Sequence, residues 1–225
     1  MKVTRFTTFE ELSTAAAALL MRQMQRESDK PFGVMLSGGK TPIAAYRTVQ
    51  SAGIKASSRL HILFSDERMT PGESPESNYG NAAGMIKALK IPEARVVRVC
   101  ADMKLDAAAE KYDRDLEEFF AGGGRIPLGL LGLGADGHTA AMFTMEDVQH
   151  KNDNNLKHAR AVPMFNGYDR VTVTPRVLER IERAVFLASG PEKQAVVSRL
   201  IQSPETLPAG AAVSRTPHVE LWMAV

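Results

Sequence analysis

The sequence predicts an α/β fold: a single-domain, Rossmann-like open sheet, mostly parallel, with helices on both faces. Short β-type runs alternate with helical patterns along all 225 residues. Several runs, 127–131 and 184–188 above all, are apolar without a break, as strands covered on both faces are. The helical patterns between runs reach ten residues or more, enough for the crossover that joins parallel strands. No fixed-period repeat and no low-complexity linker marks a boundary, so residues 1-225 are expected to form one domain.

The elements follow in order. Thr8 with Glu11 three residues on reads as a capping box, and Leu12, Ala16, Leu19, Leu20 and Met24 recur at helical spacing behind it. Pro31 closes that segment, and 32–36 reads as a buried strand. Pro42 suits the first turn of a helix over 43–50, with Gly53 placed to stop it. A strand at 60–64, a polar loop at 65–77 and a helix over 78–89 come next. A strand at 95–99 precedes a charged amphipathic helix over 105–120, which the glycines 122–124 end. The strand at 127–131 runs into a glycine-rich turn at 132–137. A polar loop rich in Asn and Lys is expected over 150–157. Strands at 170–174 and 184–188, a helix over 192–202 and a last strand at 218–223 complete the pattern.

Composition narrows the function classes. Hydrophobic residues at 44% and charged ones at 24% exclude a disordered or fibrous chain. Twenty-eight Lys and Arg against 26 Asp and Glu leave a net charge of +2, without the basic footprint of a nucleic-acid binder. The single cysteine, Cys100, excludes an internal disulfide and a Cys-based metal cage, and it fits a reducing compartment. No apolar stretch approaches the roughly 20 residues of a membrane span, and no signal peptide is visible. A cytoplasmic protein with no nucleic-acid and no membrane partner is the expectation.

Ligands of open parallel sheets bind outside the carboxyl ends of the strands, and the unusual loops here all follow strands. Ser37, Gly38, Gly39, Lys40 and Thr41 join a strand to a helix. Glycines admit a ligand close to the backbone, and the helix start offers amide donors for a phosphate; a plain tight turn with a Ser/Thr cap fits the same residues. Gly132 to Gly137 match G-x-G-x-x-G, but no long helix follows, so a dinucleotide is disfavoured. Asp136-Gly137-His138 sets a carboxylate two residues from an imidazole, which can take a proton from water near neutral pH; a structural histidine bonding a loop carbonyl is the alternative. Asp66-Glu67-Arg68 opens a polar loop ending in Ser77-Asn78, either as a solvated run or as the source of a polarising cation and a second carboxylate. Arg170 and Lys193 are candidate anion contacts or plain surface charges. The histidines show no metal-ligand spacing, and no nucleophile elbow is present.

Taken together, these segments resemble the 6-phosphogluconolactonase family of the glucosamine/galactosamine-6-phosphate isomerase superfamily. The resemblance rests on SGGKTP at 37–42, SDER at 65–68 with SN at 77–78, and GLGADGHTAAMF at 132–143. DRVTVTP at 169–175 and SGPEKQAV at 189–196 extend it over nearly the whole chain. It implies hydrolysis of 6-phospho-D-glucono-1,5-lactone to 6-phospho-D-gluconate, with no metal and no organic cofactor. By that likeness His138 is the general base with Asp136 beside it, and Asp66 and Arg68 line the lactone site. Ser37, Gly38, Gly39, Lys40, Thr41, Asn78, Arg170 and Lys193 are the expected substrate and phosphate contacts. The expected partner is a small-molecule sugar phosphate, bound by a monomer or small homo-oligomer. Two other readings are glucosamine-6-phosphate deaminase/isomerase and a non-catalytic sugar-phosphate sensor. The deaminases typically carry an A-F-N-E-P run after D-G-H and D-E-Y at the earlier loop. Here Phe143 stands five residues after His138, no acid falls within 139–144, and Arg68 ends the D-E pair.

Overall fold

A computed structural model describes residues 1–149 and 157–225. The polar loop expected over 150–157 therefore lies, apart from Lys157, outside the described residues. The chain opens with strand β1 (Lys2–Arg5) and helix α1 (Phe9–Met24), then β2 (Phe32–Leu36), α2 (Lys40–Ser51), β3 (Leu60–Phe64) and the short β4 (Asp66–Arg68). Helix α3 (Asn78–Ala88), β5 (Val96–Val97), α4 (Leu105–Ala121), β6 (Arg125–Gly132) and α5 (Met145–Gln149) follow. The remainder is β7 (Ala159–Phe165), β8 (Tyr168–Val173), α6 (Pro175–Leu178), β9 (Arg183–Ser189), α7 (Gln194–Gln202), α8 (Pro208–Ala212) and β10 (His218–Ala224).

Among the described residues seven strands form one sheet in the order β1-β10-β9-β6-β2-β3-β5, and every pair in it is parallel. From β2 the chain builds outward through β3 to β5, then returns to the other side of β2 with β6 and continues to β9 and β10. The winding direction thus reverses between β2 and β6, and the crevice at their carboxyl ends is where such sheets bind ligands. Pro127 lies in the middle of this sheet without breaking it. The β2–β6 register slips between Phe32 and Val34, a bulge that absorbs a residue lacking a ladder donor.

Both faces are covered. On one, Val34, Leu36, Ile62, Phe64, Leu128, Leu130 and Trp222 pack under α1, α2 and α3. On the other, Met35, Leu63, Leu131, Phe186 and Met223 meet α4, α7 and the smaller elements. The capping box is present: Thr8 Oγ1 accepts from Glu11 N at 3.1 Å, and the Glu11 carboxylate returns to Thr7 N at 2.8 Å, one residue earlier than the standard box. The stripe behind it, Leu12, Ala16, Leu19, Leu20 and Met24, is buried throughout. Truncating such a leucine to alanine costs about 2–5 kcal/mol.

The structure corrects several boundaries and one assignment. Helix α2 starts at Lys40, taking Thr41 and Pro42 into its first turn. The strand expected over 95–99 shrinks to Val96–Val97 because a 3-10 turn occupies Glu93–Arg95. There the Arg95 guanidinium bonds the carbonyls of Ser57, Ser58 and Leu60. The helix expected over 192–202 opens as a 3-10 turn at Pro191–Lys193 before α7. The strand expected over 170–174 is real but does not belong to the parallel sheet. It forms β8, the centre of a separate antiparallel sheet of order β4-β8-β7 seated at the carboxyl edge of the large one. Among the described residues no helix is long and apolar enough to cross a membrane.

Candidate active site

Two groups of side chains meet at the switch-point crevice. The first is built on the loop after β2. Gly39 caps α2 with φ at +110°, a conformation side chains resist. Among the described residues no side chain caps this helix, so its first amides are open donors beside the exposed Lys40. Thr41 Oγ1 lies 2.8 Å from Ser189 Oγ at the end of β9, and Lys193 Nζ donates to the Leu133 carbonyl at 2.7 Å. The Ser37 hydroxyl is buried without a hydrogen-bond partner among the described residues. A methyl group added at Gly132 would lie 3.7 Å from the Gly38 carbonyl, so the loops after β2 and β6 face each other closely.

The second group spans the loop after β6 and the small sheet. Gly134 N donates to the His138 carbonyl and Gly137 N to the Gly134 carbonyl, which folds 134–138 into a tight turn with Gly137 at φ +93°. Inside it His138 Nδ1 and Asp136 Oδ1 stand 2.5 Å apart, and His138 N also donates to that oxygen. A carboxylate can only accept, so the neutral imidazole carries its proton on Nδ1 and leaves the Nε2 lone pair as its acceptor. Partial burial alone would raise the Asp136 carboxyl, but the charge and hydrogen bonds of His138 outweigh it and hold the group below the usual carboxylate value.

In β4, Asp66 and Arg68 share one side and Glu67 turns to the other, as strand alternation requires. Asp66 accepts from Ser65 Oγ at 2.8 Å. Burial pushes its carboxyl up, against the pull of that bond and of Arg68, His138 and Arg170. Arg68 bonds the Glu76 carbonyl at 3.0 Å and the Glu76 carboxylate, while its own Nε is buried without a partner among the described residues. Arg170 sits directly opposite Arg68 in the β4–β8 register and is 7% exposed. Burial, then the neighbouring Arg68 charge, holds its guanidinium below its ordinary value. Two cations across a strand pair repel, and such an arrangement favours a bound anion.

Asn78 joins the groups. Its Nδ2 donates to the Asp66 carbonyl at 2.8 Å, and its Oδ1 packs against Gly38 so closely that a methyl group there would come within 2.2 Å. Ser37, Gly38, Gly39, Thr41 and Lys193 thus line one end, with Lys40 exposed beside them. Asp66, Arg68, Arg170, Asp136 and His138 line the other. Arg170 stands with Arg68 and not with Lys193 in these contacts.

Sequence reasoning passed over several contributors. Glu67, 2% exposed, accepts from Arg68 N and Asn78 N (both 2.8 Å), Tyr79 N (2.7 Å) and Ser77 Oγ (3.1 Å). It is a staple between β4 and the start of α3, and neither a solvated charge nor a crevice carboxylate. Phe143, marked in the sequence only by its place five residues after His138, lies 4.6 Å from the His138 ring and stacks on Phe165 at 3.7 Å and 15°. Tyr168 stands 5.8 Å from both Arg68 and Arg170. The two-residue period of β4 could have exposed Glu67; the aromatic contacts have no local signal.

An open parallel sheet with cations, carboxylates and an imidazole at its switch point defines an α/β protein shaped for a small anionic ligand. The chain belongs to the family described as glucosamine-6-phosphate isomerases/6-phosphogluconolactonase, whose model matches residues 7–222. It is 31% identical over 203 residues to the 6-phosphogluconolactonase of Thermotoga maritima, covering 90% of this chain and 87% of that one. It is 30% identical over 224 residues to the Homo sapiens 6-phosphogluconolactonase, with 95% and 86% covered. The crystal structure of the Thermotoga maritima 6-phosphogluconolactonase superposes with a TM-score of 0.79 at 27% identity over 99% of this chain and 98% of that one. A monomeric glucosamine-6-phosphate deaminase matches as well in backbone, TM-score 0.79 at 20% identity over 99% and 97% of the chains. The fold therefore does not separate the two activities, and side chains have to.

Proposed function

We propose that this chain hydrolyses 6-phospho-D-glucono-1,5-lactone to 6-phospho-D-gluconate, the reaction of the oxidative pentose phosphate branch. The observation that carries the choice is the surrounding of His138. The imidazole is paired to Asp136 on one side and packed by Phe143 on the other. Phe143 occupies the position, five residues on, where the deaminase pattern has its glutamate, and 139–144 holds no acid at all.

In this reading Nε2 of His138 takes a proton from water as the water oxygen attacks the lactone carbonyl carbon. Asp136, kept ionised by its partner, steadies the imidazolium that forms. The tetrahedral oxyanion draws on Arg68 or on loop amides, placed where the charge develops. When the bond from that carbon to the ring oxygen breaks, the imidazolium returns its proton to the departing alkoxide, leaving a carboxylic acid that ionises. The amides of 38–41 and Lys193 hold the phosphate, so binding at the far end orients the reacting carbon, while Arg170 stands with Arg68 at the reacting end. The same reading carries a cytoplasmic enzyme of one domain, working without metal or organic cofactor as a monomer or small homo-oligomer.

The decisive experiment follows acid release from freshly prepared 6-phosphogluconolactone beside ammonia release from glucosamine 6-phosphate. Acid release well above spontaneous hydrolysis, without ammonia, is expected. Ammonia release, or binding of sugar phosphates without turnover of either, overturns the assignment.

A further inference from the structure

Two of the loops that carry the site leave the sheet where its ladder ends, and at each of these exits one buried tyrosine takes over the missing hydrogen bonds. In a parallel ladder, residues alternate in the neighbour they bond. Ser65 N donates to the Leu36 carbonyl at 2.8 Å, so Leu36 is turned toward β3 and the next residue, Ser37, toward β6. The β2–β6 pairing has ended by then, its last partners being Met35 and Gly129. Tyr46 of α2 fills the gap: its hydroxyl accepts from Ser37 N at 3.1 Å and donates to Ser37 O at 2.8 Å.

The same device recurs one strand over, from the opposite face of the sheet. Ser65 is turned toward β2, so Phe64 is turned toward β5, which stops at Val97 opposite Leu63. Tyr112 of α4 supplies the absent neighbour, accepting from Phe64 N at 3.3 Å and donating to Phe64 O. Ser37, Phe64 and both tyrosines are buried, so water does not reach these backbone groups, and unmet polar groups there are costly. Burial and the carboxylate of Asp66 push both phenols above their ordinary value, so each stays a neutral O–H able to donate and accept at once.

We propose that Tyr46 and Tyr112 are positioning residues of the site: each replaces a lost strand partner and fixes the exit of one functional loop, Tyr46 the 37–41 loop and Tyr112 the Asp66–Arg68 segment. Neither hydroxyl contacts the substrate in this scheme, and the kinetic half of the inference rests on the lactonase reading above.

The test is Tyr46→Phe and Tyr112→Phe, each removing one oxygen. Loop misplacement is read as a split. Tyr46→Phe raises KM for the phosphorylated lactone, and the dissociation constant of inorganic phosphate, roughly tenfold with kcat little changed. Tyr112→Phe lowers kcat roughly tenfold with KM little changed. Wild-type values in both folded variants overturn the proposal, as does an equal loss in both that merely follows the folded fraction at unchanged KM. Amide hydrogen exchange supplies a readout independent of turnover and of variant folding. In the wild-type protein the Ser37 and Phe64 amides exchange at core rates although each is bonded to a tyrosine hydroxyl and not to a neighbouring strand, and fast exchange at either overturns the proposal. Should the wild-type protein prove inactive on the lactone, the functional reading fails and the exchange measurement still decides the role of the tyrosines.

Discussion

Gly134→Ala tests the His138–Asp136 pair without altering either residue. A Cβ at position 134 would stand 2.1 Å from His138 Nδ1 and 2.4 Å from Asp136 Oδ1. Carbon needs about 3.5 Å from such atoms, so both side chains have to retreat by roughly an ångström or more. They are free to do so: their side chains are 30% and 50% exposed, and Gly134 does not require a left-handed backbone. Stability should therefore change by less than about 0.5 kcal/mol, while an ångström of misplacement at a reacting group costs on the order of a hundredfold in rate. The assay is kcat on fresh phosphogluconolactone with a urea melt of the same preparation. His138→Ala, expected to lose about 10²–10⁴-fold, sets the floor. A Gly134→Ala enzyme with kcat within about twofold of wild type, or a His138→Ala enzyme that is folded and active, refutes the mechanism assigned to the pair.

Other expectations follow from particular contacts. Glu67→Gln turns an acceptor of four hydrogen bonds into a group with donors facing donors; a loss of about 1–3 kcal/mol in a urea titration, with a raised KM, is expected, and an unchanged midpoint would contradict the staple. Arg170→Ala and Lys193→Ala should each raise KM for the phosphorylated lactone, and unaltered kinetics in both would remove the anion assignment. Burial alone would raise the Glu220 carboxyl, but its bonds to Arg183 and Trp222 prevail and depress it. A depressed carboxyl stabilises the fold above its unfolded value of about 4.3 and loses that contribution as pH falls through the folded value. Glu220→Gln should accordingly be less stable than wild type at pH 7, with the difference shrinking as the solution becomes more acidic than that. A gap that widens toward acid would be inconsistent with this pairing.

Much of the parallel sheet was legible because its strands are buried on both faces and read as unbroken apolar runs. β2 and β3 were legible to the residue, and β6 and β9 within two. The small antiparallel sheet was not. β7 is half-exposed and contains Pro163, and β4 is three charged residues long, so neither carries an apolar or alternating signature. Short motifs singled out the loops around Gly38, Asp66 and His138, because glycines and clustered polar groups after strands are local features. Their mutual placement was not readable. That Asn78 rests on Gly38, that Arg170 faces Arg68, and that Phe165 stacks on Phe143 are products of tertiary pairing between segments far apart in sequence. Glu67 was misjudged for a related reason: a lone acid beside Asp66 and Arg68 looks solvated until the backbone donors of α3 are brought to it.

The seam between the two sheets has a consequence for how the molecule matures. Ser65 O accepts from Val173 N at 2.9 Å, closing a contact between positions more than a hundred residues apart, and β4 gains its partner only when β8 arrives. Pairings of such long range come late in folding. A chain still emerging from the ribosome, halted short of position 170, holds β2, β3 and β6 yet lacks both the strand that orders Asp66 and Arg68 and the arginine that faces them. Turnover would thus appear only once β8 has joined β4, a built-in report that the two sheets have met.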